Sequence, residues 1–355
     1  MRAALGLAAR GLGRVWPNPA VGCVIVAGGE VAGRGWTQAG GRPHAETEAL
    51  ARAGAAARGA TAYVTLEPCA HHGKTPPCTE ALIAAGVARA VVAVRDPDPR
   101  VSGSGIARLK AAGIAVEQGL LEKEAAELNA GFFSRIEKGR PLVALKLATT
   151  LDGRIATAAG ESRWITGPAA RAQTHRLRAQ HDALLVGAAT VIADDPDLTC
   201  RLPGLEGRSP VRVVIEGSQA IPQGAKLVAT AKSRPTWLLR AVGRKDSPGS
   251  AGVETIEIEP GPGGRPAIAA ALEALGRRGI TRLLVEGGGR LSAALLDAGL
   301  VDRLYWFHAP GVMGGAGIPA VEKLAAGTLT AMPRFERTGL RPFGDDIMET
   351  YRRRD

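Results

Sequence analysis

The chain has 355 residues, enough for two domains with separate cores, and 45% hydrophobic content suits a globular protein. The formal charge is +11, but the arginines are scattered and aromatics are only 4% of residues, which argues against a nucleic-acid platform and for small phosphorylated ligands. No apolar run reaches the length of a membrane span, and Met1-Arg2-Ala3-Ala4-Leu5 lacks a signal-peptide core, so a cytoplasmic protein with no membrane partner is expected.

Residues 21–27 and 30–36 flank Gly28-Gly29 and predict a hairpin, with Cys23 as a buried core thiol. His44 to Gly54 (HAETEALARAG), after Pro43, predicts a helix, and 61–66 a strand. The string Pro68-Cys69-Ala70-His71-His72-Gly73-Lys74-Thr75-Pro76-Pro77-Cys78 follows and opens a second helix. Strand 89–94 closes on Asp96-Pro97-Asp98-Pro99, and helix 105–112, strand 114–119 and one helix over 122–136 complete a three-layer α/β/α pattern. A domain boundary is expected at 140/141, within Glu137-Lys138-Gly139-Arg140-Pro141.

One imidazole (His44), two thiols (Cys69, Cys78) and one spare carboxylate (Glu46) are what a catalytic zinc needs: three protein ligands and a fourth position left for water. His44 and Glu46 are two residues apart, so both can approach one metal only at the very start of a helix. Two helix N-termini would then face the metal and depress both cysteine pKa values. The order His-x-Glu…Pro-Cys…Cys is that of zinc deaminases acting on nucleobases, with eight residues between the cysteines instead of two. A structural zinc, with His71 or His72 as fourth ligand, and a Cys69–Cys78 disulfide are the plainer alternatives; four cysteines without a secretory signal disfavour the second.

The second half restarts a strand–helix alternation. Strands are expected at 142–148, 183–187, 211–215, 236–239, 253–258, 282–286 and 302–308, and helices at 168–179, 266–277 and 291–298. Segments 203–210 and 243–252 read as loops, and a last strand pair falls near 335–351. Val285-Glu286-Gly287-Gly288-Gly289-Arg290-Leu291 joins a strand to a helix through three glycines, which suits either a phosphate or a tight turn. No ordinary Rossmann fingerprint follows an early strand.

The string PCAHHGKTPPC with the upstream Asn18-Pro19-Ala20-Val21-Gly22 resembles the deaminase half of bacterial riboflavin-biosynthesis enzymes. The segments LKLATTLDGR (145–154), GESRWIT (160–166) and GAATV (187–191) through Asp194-Asp195-Pro196 resemble the reductase half, so the chain is similar to the bifunctional RibD-type family along essentially its whole length. The resemblance implies a cytidine-deaminase-like domain over 1–140 and a dihydrofolate-reductase-like, NADPH-using domain over 141–355. It implies deamination of 2,5-diamino-6-ribosylamino-4(3H)-pyrimidinone 5′-phosphate, then reduction of 5-amino-6-(5-phosphoribosylamino)uracil to the ribitylamino compound. His44, Cys69 and Cys78 would bind zinc and Glu46 would move protons. Ala148, Trp164, Thr190, Asp194, Gly288, Gly289, Arg290, Leu291, Ser292, Ala293 and Ala294 would line NADPH. Ser162, Arg178, Leu198, Arg201 and Glu286 would meet the sugar phosphate, with Lys146 a polar group near the reacting C1′.

By residue type alone Trp164 serves equally as a core aromatic, and Arg178 as a solvated helix face. His175, His181 and His308 receive no role. Where the family usually carries Asp-Ser or Asp-Thr, this chain has Glu216-Gly217, which takes away a hydroxyl from the cofactor's adenosine side. The chain starts a few residues late relative to the family, so a short first helix is expected. A phosphorylated pyrimidine is the expected partner, no nucleic acid is, and a homo-oligomer is expected. A tRNA-base deaminase and a metal-stabilised scaffold are the rival functions; the first leaves over half the chain without a task.

Overall fold

Gly28 and Gly29, with φ of +58° and +86°, turn the chain between β1 (Gly22–Ala27) and β2 (Glu30–Trp36), the antiparallel hairpin that the two-glycine turn predicts. The computed structural model describes residues 1–73, 75–244 and 252–354. They fall into two compact units, Met1–Gly139 and Arg140–Asp355.

In the first unit the helix α1 (Arg2–Ala8) precedes the hairpin, and α2 (Ala45–Ala53) follows it. Then come β3 (Thr61–Val64), α3 (Cys78–Ala84), β4 (Arg89–Val92), α4 (Ser104–Ala111) and β5 (Ala115–Gln118). The sheet order is β2-β1-β3-β4-β5, antiparallel across the first three strands and parallel across the last three. Cys23, Ile25, Ala49, Val64, Leu82 and Leu109 are among the core residues, so Cys23 is the buried thiol expected.

Two glycines on β2 let α2 lie against the sheet: a Cβ at Gly33 would stand 2.1 Å from the Ala49 carbonyl oxygen, and one at Gly35 2.1 Å from that of Ala45. The close approach sets where the first turn of α2 falls, and that turn carries the chemistry. The single helix expected over 122–136 is instead α5 (Glu122–Leu128) and α6 (Ala130–Lys138). The break is Asn129, whose side chain accepts the Ala20 N–H at 2.9 Å and donates to the Ala20 carbonyl at 3.1 Å. A buried amide that satisfies a distant backbone pair outweighs the continuity of the helix there.

In the second unit, β6 (Leu142–Thr149) leads to the short β7 (Arg154–Ala156), α7 (Pro168–Ala179), β8 (Ala183–Gly187) and α8 (Ala188–Asp194). Next come β9 (Val211–Ile215), α9 (Lys226–Ala229), β10 (Thr236–Ala241), β11 (Val253–Ile258), α10 (Ile268–Arg277), β12 (Arg282–Val285) and α11 (Gly289–Asp297). The chain ends through β13 (Arg303–His308), β14 (Ile318–Pro319), β15 (Phe335–Phe343) and β16 (Asp346–Arg353). One nine-stranded sheet runs β11-β10-β9-β8-β12-β6-β13-β16-β15, parallel from β11 to β13 and antiparallel at the last two steps.

Segment 203–210 holds a short helical turn at Glu206–Arg208, and most of the expected loop 243–252 lies outside the described residues, as does Lys74. The two edges of the parallel strands differ in kind. At the N-terminal edge, buried Asp182 takes the Thr281 and Arg282 N–H groups, and Asp302 takes the Val143 N–H and a two-pronged Arg140. The C-terminal edge, where β6, β8 and β12 run out, is where an open parallel sheet receives ligands.

Candidate active sites

His44 caps α2 with extended backbone (φ −73°, ψ 161°), so it points away from the helical path while Glu46 sits in the first turn. That resolves the two-residue spacing in the way the sequence requires. Cys78 is the first residue of α3, and Cys69 lies in the loop beyond β3, its sulfur accepting the Cys78 N–H at 3.3 Å. The His44 Nδ1 stands 3.3 Å from the Cys78 Sγ and 3.7 Å from the Cys69 Sγ, and the three ligand atoms lie within 4.8 Å of one another. All four cysteines are free, which removes the disulfide alternative.

The expected depression of both thiols falls on Cys69 alone. Hydrogen bonding from the Cys78 thiol and backbone, with help from His44, overrides burial and lowers Cys69 to about 4. Cys78 moves up instead, because its thiol serves the Cys69 thiolate and is itself buried. Two sulfurs and an imidazole sharing protons in one spot is the chemistry of a site that fits a soft divalent cation. Glu46 is 3% exposed; burial first, then the neighbouring Cys69 thiolate, pushes its carboxyl up to about 7. Such a group takes and returns a proton near neutral pH.

A further buried carboxylate escaped the sequence reading. Glu67 accepts the N–H groups of Asp96, Gly103 and Ile106 at 3.0–3.3 Å, and so anchors the Asp96-Pro97-Asp98-Pro99 turn and the start of α4. Its place right before Pro68-Cys69 was the available signal.

In the second unit a cleft of about 550 Å³ opens at the C-terminal edge of the sheet. Of the expected residues, Ala148, Ser162, Trp164, Asp194 and Leu198 line it, together with Arg178, Arg201 and Glu286. Arg178 is no solvated face: its Nε and Nη2 donate to the two Glu286 carboxylate oxygens at 2.7 and 2.8 Å, and its Nη1 donates to the Thr199 carbonyl at 2.9 Å. Burial pushes the Glu286 carboxyl up, but Arg178 and then Lys146 win and bring it to about 2. Lys146, in the otherwise apolar β6, lines the same cleft, and burial lowers its pKa against the pull of Glu286. Trp164 is no core aromatic. It is 67% exposed, with the Arg171 guanidinium 4.5 Å from its ring centre.

The glycine run behaves as a helix start. Gly288 is the cap of α11, which begins at Gly289 rather than 291, and no side chain caps its first amides. Ser292 and Ala293 are buried, the Ser292 hydroxyl donating to the Gly288 carbonyl; Leu291 and Ala294 share that turn. Arg290 is exposed and pairs with Glu322 at 3.5 Å, and Thr190 is in the first turn of α8. These residues are not among those lining the cleft, but both helices start at the same sheet edge. Glu216 is buried and accepts the Ile221 N–H. Asp152 of the LDGR segment pins a turn, accepting from Thr150, Met313 and Gly314. His175 is one of the cleft residues that the sequence left without a role, although its i, i+3 spacing to Arg178 on α7 was visible.

Two families match in succession: the cytidine and deoxycytidylate deaminase zinc-binding region over residues 1–94, and the RibD C-terminal domain over 141–348. The riboflavin biosynthesis protein RibD of Escherichia coli is 44% identical over 98% of this chain and 96% of its own length, and that of Haemophilus influenzae 43% over 99% and 96%. A solved Acinetobacter baumannii RibD superposes with a TM-score of 0.89 at 39% identity, covering 100% of this chain and 98% of the other. A Thermotoga maritima structure, described as a diaminohydroxyphosphoribosylaminopyrimidine deaminase/5-amino-6-(5-phosphoribosylamino)uracil reductase, gives 0.86 at 35% identity over 99% and 97%. With both halves matched in order along nearly the whole chain, the chain belongs to the RibD family, the bifunctional deaminase/reductases of riboflavin biosynthesis.

Proposed function

We propose that residues 1–140 deaminate 2,5-diamino-6-ribosylamino-4(3H)-pyrimidinone 5′-phosphate with zinc, and that residues 141–355 reduce the resulting 5-amino-6-(5-phosphoribosylamino)uracil with NADPH. The observation that carries the first step is Glu46, a buried carboxylate beside an S₂N ligand set whose three atoms lie within 4.8 Å. When bound, zinc lowers the pKa of a water molecule toward neutrality. His44, Cys69 and Cys78 would hold the ion, and Glu46, buried beside them, would take a proton from the attacking water. The water oxygen bonds to the ring carbon bearing the 2-amino group. Glu46 then returns protons to the ring nitrogen and to departing ammonia, so one water enters and one ammonia leaves.

When bound, NADPH would supply the hydride that reduces C1′ of the opened ribose. The starts of α8 and α11, with Thr190, Gly288, Gly289, Arg290, Leu291, Ser292, Ala293 and Ala294, support its placement at the C-terminal sheet edge, and Ala148, Trp164 and Asp194 complete it. Ser162, Leu198 and Arg201 receive the sugar phosphate, while Glu286, fixed in its charged form by Arg178, orients the ribose hydroxyls. The Thermotoga relative's description supports the substrate pair.

No described helix is long and apolar enough to cross a membrane. Four free cysteines support a cytoplasmic enzyme, and the exposed Leu340 and Ile347 on the edge hairpin support a homo-oligomer. Incubation with the diamino compound tests the assignment. Ammonia and the uracil product form without NADPH, the ribityl product only with it, and absence of the first product overturns the reading.

A further inference from the structure

The reductase cleft contains a histidine with no task in the scheme above. His175 sits on α7 one turn before Arg178, so the two side chains share the face turned to the cleft. Its Nδ1 lies 3.1 Å from the Thr199 carbonyl oxygen and 3.3 Å from the Arg201 amide nitrogen. In a neutral imidazole this nitrogen either donates to Thr199 or accepts from Arg201, and either bond ties α7 to the same three residues. Burial first, then the charges of Arg178 and Arg201, holds the ring below its usual pKa, which keeps it neutral near pH 7.

The stretch so tied is strained. Asp195 and Leu198 have φ of +40° and +52°, left-handed values that side chains disfavour. Such angles persist where the surroundings over-determine them. Asp195 accepts the Lys226 N–H at 2.8 Å, the Leu198 side chain is buried, and Ser209 Oγ accepts the Cys200 N–H at 3.1 Å. His175 is the side chain that reaches the backbone of Arg201 itself. The Arg201 guanidinium, 53% exposed and 3.8 Å from Asp197, has little else to hold it in place.

We propose that His175 is a positioning residue of the reductase: its Nδ1 fixes the 199–201 backbone so that Arg201 is aimed before the phosphorylated substrate arrives. This rests on the reading of Arg201 as a phosphate contact. The gain is preorganisation, so it shows in substrate affinity and not in the rate of hydride transfer.

The test uses the full-length enzyme with supplied uracil substrate and NADPH. His175→Ala raises the KM for the phosphorylated pyrimidine about fivefold to tenfold, the scale of one hydrogen bond, with kcat and the KM for NADPH nearly unchanged. His175→Asn puts an amide where Nδ1 stood and restores most of the loss, whereas His175→Gln puts it where Nε2 stood and does not. In an Arg201→Ala background His175→Ala adds nothing further. Hydrogen exchange of the 196–201 backbone speeds up in His175→Ala and recovers in His175→Asn. Rescue by Gln instead of Asn, or an additive effect on top of Arg201→Ala, overturns the proposal. If Arg201→Ala alone leaves the KM unchanged, it is the phosphate reading that fails. Unaltered kcat and an unaltered KM for NADPH show that the second unit of each His175 variant is folded.

Discussion

Arg178 and Glu286 hold each other through two parallel hydrogen bonds of 2.7 and 2.8 Å across 108 residues of chain, each side chain only 12% exposed. The pair forms one wall of the reductase cleft and fixes the charge on Glu286. Removing one partner leaves the other charge buried and unpaired, which costs about 3–5 kcal/mol, while replacing both with apolar groups of similar volume costs far less. Arg178→Met and Glu286→Met should therefore each loosen the second unit more than the double variant does. Hydrogen exchange of second-unit peptides in denaturant reads this directly. A double variant as unstable as the sum of the singles would contradict a mutually dependent pair. All three lose reductase activity.

Glu46→Gln should retain zinc and lose about two to four orders of magnitude in ammonia release, since the amide keeps the shape but moves no proton. Cys69→Ser and Cys78→Ser should lose the metal as well, yet still reduce supplied uracil substrate, because the zinc set and the reductase cleft belong to separate units with separate cores. Elemental analysis beside the two activity assays separates the cases. A metal-loaded Glu46→Gln enzyme with ordinary turnover would remove Glu46 from its role.

The zinc set was legible because its residue types are chemically distinctive and the start of α2 reconciles the His44–Glu46 spacing. The reductase cleft was legible only as a roster. That Arg178 and Glu286 bind each other follows from strand order β8-β12-β6, which no local pattern encodes. The same limit explains the broken helix at Asn129, an ordinary polar position until it meets Ala20, 109 residues away. Asp152 shows the converse: a distinctive motif residue that serves a turn.

Acid should weaken the second unit through His181. The ring is 1% exposed, with Nδ1 2.7 Å from the Leu177 carbonyl, and burial first and Arg282 second lower its pKa from 6.5 to about 3. The unfolded chain takes up this proton near pH 6.5 and the folded chain only near 3, so the unfolded state binds more protons between them. The stability is complete above about pH 6.5 and is lost as pH falls toward 3, at about 1.4 kcal/mol per pH unit. His181→Asn keeps a donor for Leu177 and has no titration, so its unfolding should depend less steeply on pH in this window. The same slope in both proteins would show that another group governs acid sensitivity.

Arg201→Ala should raise the KM for the phosphorylated pyrimidine far more than the KM for NADPH. Arg201 follows the turn-rich Asp194-Asp195-Pro196-Asp197 run, lines the cleft, and has only a 3.8 Å contact to Asp197 to satisfy its charge. Arg178, by contrast, already gives its Nε, Nη1 and Nη2 atoms to Glu286 and Thr199, which leaves Arg201 as the better-placed phosphate partner. One charged hydrogen bond to phosphate is worth about 1.5–3 kcal/mol, or about ten- to a hundredfold in binding. Arg201→Lys should recover part of this, because an ammonium restores the charge without the fork. Raising the salt concentration should narrow the gap between wild type and Arg201→Ala, since this guanidinium faces solvent. Steady-state kinetics with each substrate varied in turn decides, and an unchanged KM for the phosphorylated substrate would place Arg201 outside the site.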